Sequence, residues 1–131
     1  AAALPSLRAY TSSQAHSSVE KGVRVAGFAV DQLRSIATDA DHAMDPAALA
    51  AAIAADREAG LVPCIVVATV GTTSSGAVDP LSAIAEIASA AGAWLHVDAA
   101  WAGSAAVCPE HQHLLDQKNP PPDAAFVVGG G

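Results

Sequence analysis

Hydrophobic and polar positions along the chain fall into two kinds of block. The first is a helix-period stripe punctuated at both ends. Asp45-Pro46 opens AALAAAIAADREA, which Gly60 follows, and Asp79-Pro80 opens LSAIAEIASAA, which Gly92 follows. In both units Asp can cap the free amides of the first turn, and Pro sits where its missing N–H costs nothing. Gly then supplies the left-handed residue past the last turn. In the second unit Leu81, Ile84, Ala85 and Ala88 recur at helical spacing and form one apolar stripe. A third helix is predicted from Ser17 to Ala26, closed by Gly27.

The second kind of block is a short apolar run rich in β-branched residues. Leu61 to Val70 (LVPCIVVATV) is apolar on both faces, the mark of a strand buried inside a parallel sheet. Ala93 to Asp98 (AWLHVD) is another, and Leu7–Thr11 and Leu33–Ala37 are weaker versions. The order β-α-β-α-β-α-β, with right-handed crossovers, predicts an α/β fold: a parallel sheet with helices on both faces. After Leu115 the pattern stops. DQKNPPPDAAFVVGGG has three consecutive prolines and three terminal glycines, neither suited to a sheet interior or a helix. Residues 1–115 are therefore read as the folded part and 116–131 as a divergent Pro/Gly-rich, linker-like tail.

Composition narrows the function classes. The 131 residues are the length of one domain, and a hydrophobic share of 52% is too high for a disordered chain. Aromatics are only 4%, with alanine dominating the apolar residues, so the core is expected to be thin. Six basic against 13 acidic side chains give a net charge of −7, which lacks the basic footprint of a nucleic-acid or anionic-membrane partner. The longest apolar run, Leu61 to Val70, is too short to cross a bilayer. No charged segment followed by an apolar block opens the chain. Cys64 and Cys108 make neither a disulfide framework nor a metal site, so a reducing, cytoplasmic location is expected. With no initiator Met and so unusual an ending, the chain reads as a piece of something larger.

Ligands of open parallel sheets bind beyond the carboxyl ends of the strands. Three segments meet that description: Ser12-Ser13-Gln14-Ala15-His16, Gly71-Thr72-Thr73-Ser74-Ser75-Gly76, and His96-Val97-Asp98-Ala99-Ala100. Asp98 is the sharpest single residue. It ends an apolar strand, where a carboxylate is expensive unless paired. It either caps the next turn or serves as the buried counter-ion of a cationic ligand group. The small residues Ala99, Ala100, Ala102 and Gly103 leave room for something flat beside it, which favours the ligand. The hydroxyl-rich GTTSSG stretch suits a phosphate or a polar ring edge, and equally suits a plain turn. His16 precedes a helix start, where a lone histidine is more often a surface or capping group. His42, His111 and His113 are read as solvated, and the last two lack metal-site spacing.

Taken in order, SSQAHSSVEKGVRVAGF, LVPCIVVATVGTTSSGAVDPL and AWLHVDAAWAGSAAVCPEHQHLL carry a family resemblance. The chain from about Tyr10 to Leu115 resembles the pyridoxal-phosphate-dependent aromatic-L-amino-acid decarboxylases, which include the tyrosine, DOPA and tryptophan decarboxylases. The resemblance implies the large domain of a fold-type I enzyme that converts an aromatic L-amino acid to its amine and CO₂. In it Asp98 matches the aspartate that pairs with the protonated pyridine nitrogen of pyridoxal 5'-phosphate. His16 matches the histidine that stacks on the ring and helps return a proton to the substrate carbon. Thr73 matches a threonine that contacts the cofactor, and Ala100 the small residue packed against the ring. His96, on the strand face of Asp98, is expected just behind them.

The departures from the family pattern are as informative. Ser13 stands where Asp usually precedes Gln-Ala-His, and Trp101 where Tyr is common. The Asn-Pro-His-Lys motif, whose lysine holds the cofactor covalently, would fall near Gly129 to Gly131 and is absent. The chain's lysines, Lys21 and Lys118, match no catalytic position. The upstream phosphate-binding loop and the C-terminal small domain are also missing from these residues. The leading expectation is thus a partial decarboxylase, inactive alone, whose full-length parent is a homodimer. The alternatives are a non-catalytic product that associates with a full-length subunit, and a decarboxylase of the same group acting on another amino acid such as histidine.

Overall fold

The computed structural model describes residues 6–13, 17–69, 79–99 and 125–128. Within them the predicted alternation is present. The elements are β1 (Leu7–Ser12), α1 (Ser17–Val25), β2 (Leu33–Ile36), α2 (Pro46–Glu58), β3 (Val62–Thr69), α3 (Leu81–Ala90), β4 (Trp94–Ala99) and β5 (Ala125–Val128). A short 3₁₀ turn at Val30–Gln32 leads into β2. The five strands form one sheet in the order β2-β1-β3-β4-β5, and every pairing is parallel.

Burial follows the sequence pattern closely. Val66, Val67, Ala68 and Thr69 of β3 are all buried, as a central strand covered on both faces requires. The stripe Leu81, Ile84, Ala85 and Ala88 is the buried face of α3. It packs with Leu49 and Ile53 of α2 against Tyr10, Val66, Ala68, Leu95 and Val97 of the sheet. Ala68, Ala85, Ala88 and Ala93 belong to this core, small side chains that fill little volume. Gly60 and Gly92 end their helices at φ +81° and +71°, where an L side chain is strained.

Two expectations need correction. The first concerns the helix openings. Asp45 caps α2 as predicted, its carboxylate accepting from the Ala47 amide at 3.0 Å. Asp79 does not cap α3. That helix starts after Pro80 with no side-chain cap, because the Asp79 carboxylate is committed to amides elsewhere in the fold. The second concerns the ending. Inside the segment expected as a linker-like tail, Ala125–Val128 forms β5 and pairs with His96–Ala99 of β4. Three of its four residues, Phe126, Val127 and Val128, are β-prone, and among the described residues β5 pairs with β4 alone. The remainder of 116–131 lies outside the described residues.

Candidate active site

The chain steps from β1 outward to β2, then returns past β1 to β3 and continues to β4 and β5. The strand order therefore reverses at β1. In open α/β sheets a crevice forms at such a reversal, beyond the carboxyl ends of the strands. Here the ends concerned are Ser12 of β1 and Thr69 of β3, with Asp98 and Ala99 of β4 alongside. The strands that precede or contain the three segments singled out in the sequence, β1, β3 and β4, are thus adjacent and end on one edge of the sheet. Residues 14–16 and 71–76 themselves lie outside the described residues.

Register decides which side chains share a face. Thr69 is paired with Asp98, Val67 with His96, and Thr11 with Val67. The intervening residues Tyr10, Val66, Ala68, Leu95 and Val97 face α2 and α3. Thr11, Thr69, His96 and Asp98 therefore belong to the opposite face, over which a right-handed β1-α1-β2 crossover carries α1. Asp98 and His96 are half-buried. Thr11 and Thr69 are only 6% and 4% exposed, yet neither hydroxyl has a hydrogen-bond partner. A buried hydroxyl left unmade costs about 1–3 kcal/mol, so two on one face mark a place where a polar group belongs.

On the other face, buried carboxylates tie the strands to the helices. Asp79 is 1% exposed; its Oδ2 accepts from the Thr69 amide and its Oδ1 from the Met44 amide, both at 2.8 Å. The Asp79 amide in turn donates to the Thr69 carbonyl at 2.9 Å. Burial pushes the Asp79 carboxyl above its ordinary range, and the two amides only partly offset that. Asp56, fully buried on α2, accepts from the Tyr10 hydroxyl at 2.8 Å and pairs with the Arg34 guanidinium through both carboxylate oxygens. Burial opposes the Asp56 charge, but Arg34 and Tyr10 outweigh it and hold the carboxyl below its usual range. Burial and the neighbouring Asp56 push the Tyr10 phenol far upward, so it stays a donor.

Of the predicted site residues, Asp98 is on β4 at the expected edge. His16, Thr73 and Ala100 lie outside the described residues, as does Cys108. His42 is exposed, as its reading as a solvated residue implies, and adopts φ 64° in a turn organised by Asp39. Sequence reasoning does not single out Thr11, Thr69 or Asp79 as site residues. Among the described residues no cluster of three His, Cys, Asp or Glu side chains could hold a metal, and no helix is long and apolar enough to cross a membrane.

Comparison with known proteins adds the deciding observation. Residues 2–119 match the model of the pyridoxal-dependent decarboxylase conserved domain. The chain belongs to the pyridoxal-dependent decarboxylase family. Tryptophan decarboxylase 1 of Oryza sativa subsp. japonica is 54% identical over 117 residues, covering 88% of this chain and 23% of that protein. Phenylacetaldehyde synthase of Arabidopsis thaliana is 47% identical over 116 residues, covering 87% of this chain and 24% of that protein. A crystal structure of Oryza sativa TDC with PLP and tryptamine superposes with a TM-score of 0.85 at 54% identity, over 88% of this chain and 25% of that one. The chain spans about a quarter of the length of the relatives it matches.

The described residues fit the cofactor that the family name implies. A pyridinium ring wants a carboxylate at its nitrogen and polar partners around a flat slot. At the carboxyl edge of this sheet Asp98 would meet the first need, and the unsatisfied Thr69 and Thr11 hydroxyls share its face.

Proposed function

We propose that these residues form the ring-binding half of a pyridoxal-phosphate site in a decarboxylase of aromatic L-amino acids. The observation that carries the reading is Asp98, at the end of β4 beside a buried, unsatisfied Thr69 hydroxyl. Family membership supports the cofactor. The substrate class rests on relatives named tryptophan decarboxylase and tyrosine/DOPA decarboxylase, and on a Catharanthus roseus tryptophan decarboxylase structure in complex with L-tryptophan.

When bound, the cofactor supplies an electron sink for the pair left behind as CO₂ departs. The chain's own part is to hold and tune it. Asp98 keeps the ring nitrogen protonated, and the face shared by Thr69 and Thr11 orients polar groups of the ring. The family resemblance assigns proton return to His16, a further ring-side contact to Thr73 and a packing surface to Ala100. The family resemblance assigns the cofactor-anchoring lysine to neither Lys21 nor Lys118. Homodimer assembly of the parent and a cytoplasmic setting, which suits the half-buried free thiol of Cys64, complete the reading.

Titration of the chain with pyridoxal phosphate, followed by borohydride reduction and peptide mapping, tests this directly. Saturable binding without a stoichiometric lysine adduct is expected. A stoichiometric adduct on Lys118 contradicts the assignment of the lysine to another segment. Absence of saturable binding contradicts the reading as a whole.

A further inference from the structure

Asp79 lies on the α2/α3 side of the sheet, away from the face that carries Asp98, and neither the ring-binding reading nor helix capping uses it. Its carboxylate holds two backbone amides from distant segments, Met44 before α2 and Thr69, the last residue of β3. The Asp79 amide holds the Thr69 carbonyl as well. Thr69 is thus gripped at both its N–H and its C=O by one residue. Thr69 and Asp79 flank segment 70–78 in the sequence, which contains GTTSSG. The consequence appears on the opposite face. With its backbone fixed from behind, Thr69 has its buried, unpartnered hydroxyl on the face of Asp98, its register partner on β4.

We infer that Asp79 is a positioning residue for the cofactor site: it fixes the end of β3 so that Thr69 and Asp98 present one preorganised polar face to the ring. The inference rests on the proposed function for what the face binds, but not for the grip itself. A carboxylate that merely stabilised α3 would cap that helix, as Asp45 caps α2. Asp79 leaves α3 uncapped and places its charge against the strand end instead. Sites of this kind need first-contact groups locked by a supporting layer, because small displacements at the ring are costly.

The test compares the wild-type chain with Asp79→Ala, Asp79→Asn and the control Asp45→Ala. Asp79→Asn keeps one carbonyl acceptor and serves if the alanine variant does not fold. Three readouts are taken: amide exchange at Thr69 and Met44, the side-chain carboxyl carbon resonance of Asp98, and affinity for pyridoxal phosphate. Exchange at Thr69 should rise and affinity should fall by at least about tenfold in the Asp79 variants, the worth of one charge-assisted hydrogen bond. The Asp98 resonance should move with them, and Asp45→Ala should move neither it nor the affinity. Folded Asp79→Asn protein with an unmoved Asp98 resonance and unchanged affinity overturns the inference. If the wild-type chain binds no pyridoxal phosphate, the proposed function fails, and the Asp98 resonance alone decides whether Asp79 positions that face.

Discussion

Asp45-Pro46 and Asp79-Pro80 are written alike: an acid, a proline, an alanine-rich apolar stripe and a closing glycine. At the first, the carboxylate stays local and caps its own helix through the Ala47 amide. At the second, it reaches amides 10 and 35 residues away and leaves its helix uncapped. The difference lies in what surrounds each pair. Asp45 is half-exposed on a surface turn, so its nearest unsatisfied amide is its best partner. Asp79 is enclosed between α2, α3 and the end of β3, where a buried carboxylate must satisfy both oxygens. Met44 and Thr69 offer the amides to do so. One unit therefore stabilises a helix, and the other ties the end of β3 to the segment before α2.

The comparison can be broken by substitution, beginning with the largest effect. Asp79→Ala strands two buried amides at about 1–3 kcal/mol each, so a loss of roughly 2–6 kcal/mol is expected in denaturant unfolding. A loss below about 1 kcal/mol would return Asp79 to the rank of an ordinary cap. Tyr10→Phe removes the neutral donor to Asp56 and should cost about 1.5–3 kcal/mol. Asp45→Ala should cost only about 1 kcal/mol, with faster amide exchange confined to the first turn of α2.

The smallest effect is in pH dependence, where the two buried carboxylates differ in sign. Asp79 is raised from 3.8, so the native state holds its proton more tightly than the unfolded chain. Its contribution to stability falls as pH rises above about 4. Asp56 is lowered from 3.8, so its contribution is present above that value and is lost as pH falls through the depressed one. Asp79→Asn should therefore steepen the rise of stability with pH above about 4, and Asp56→Asn should flatten it below. Unfolding free energies at a series of pH values check both, and parallel curves for the two variants would contradict the contrast.

Much of the fold is legible in the sequence because its signals are local. Three helices and four strands follow from periodicity, capping residues and β-branched runs, and their order predicts the parallel sheet. Asp98 is legible for the same reason, since an acid at the end of an apolar strand stands out within six residues. Asp56 could also be read, because it continues the Leu49–Ile53 stripe at helical spacing and so must be buried. Its partner Tyr10, 46 residues away, could not. The same holds for Asp79, whose local context spells a cap while its partners are brought in by the tertiary fold. Strand β5 was hidden by its flanks of proline and glycine, and by needing only β4 beside it to form.

The central claim is that the carboxyl edge of β4 holds the cationic end of a pyridoxal ring. Its most direct test is the affinity of the chain for pyridoxal phosphate with and without Asp98→Asn. Loss of one member of a buried charge pair costs roughly 3–5 kcal/mol, so binding should weaken by about a hundredfold or more while far-UV circular dichroism is unchanged. Equal affinity in the two proteins would contradict the assignment of Asp98, and with it the site.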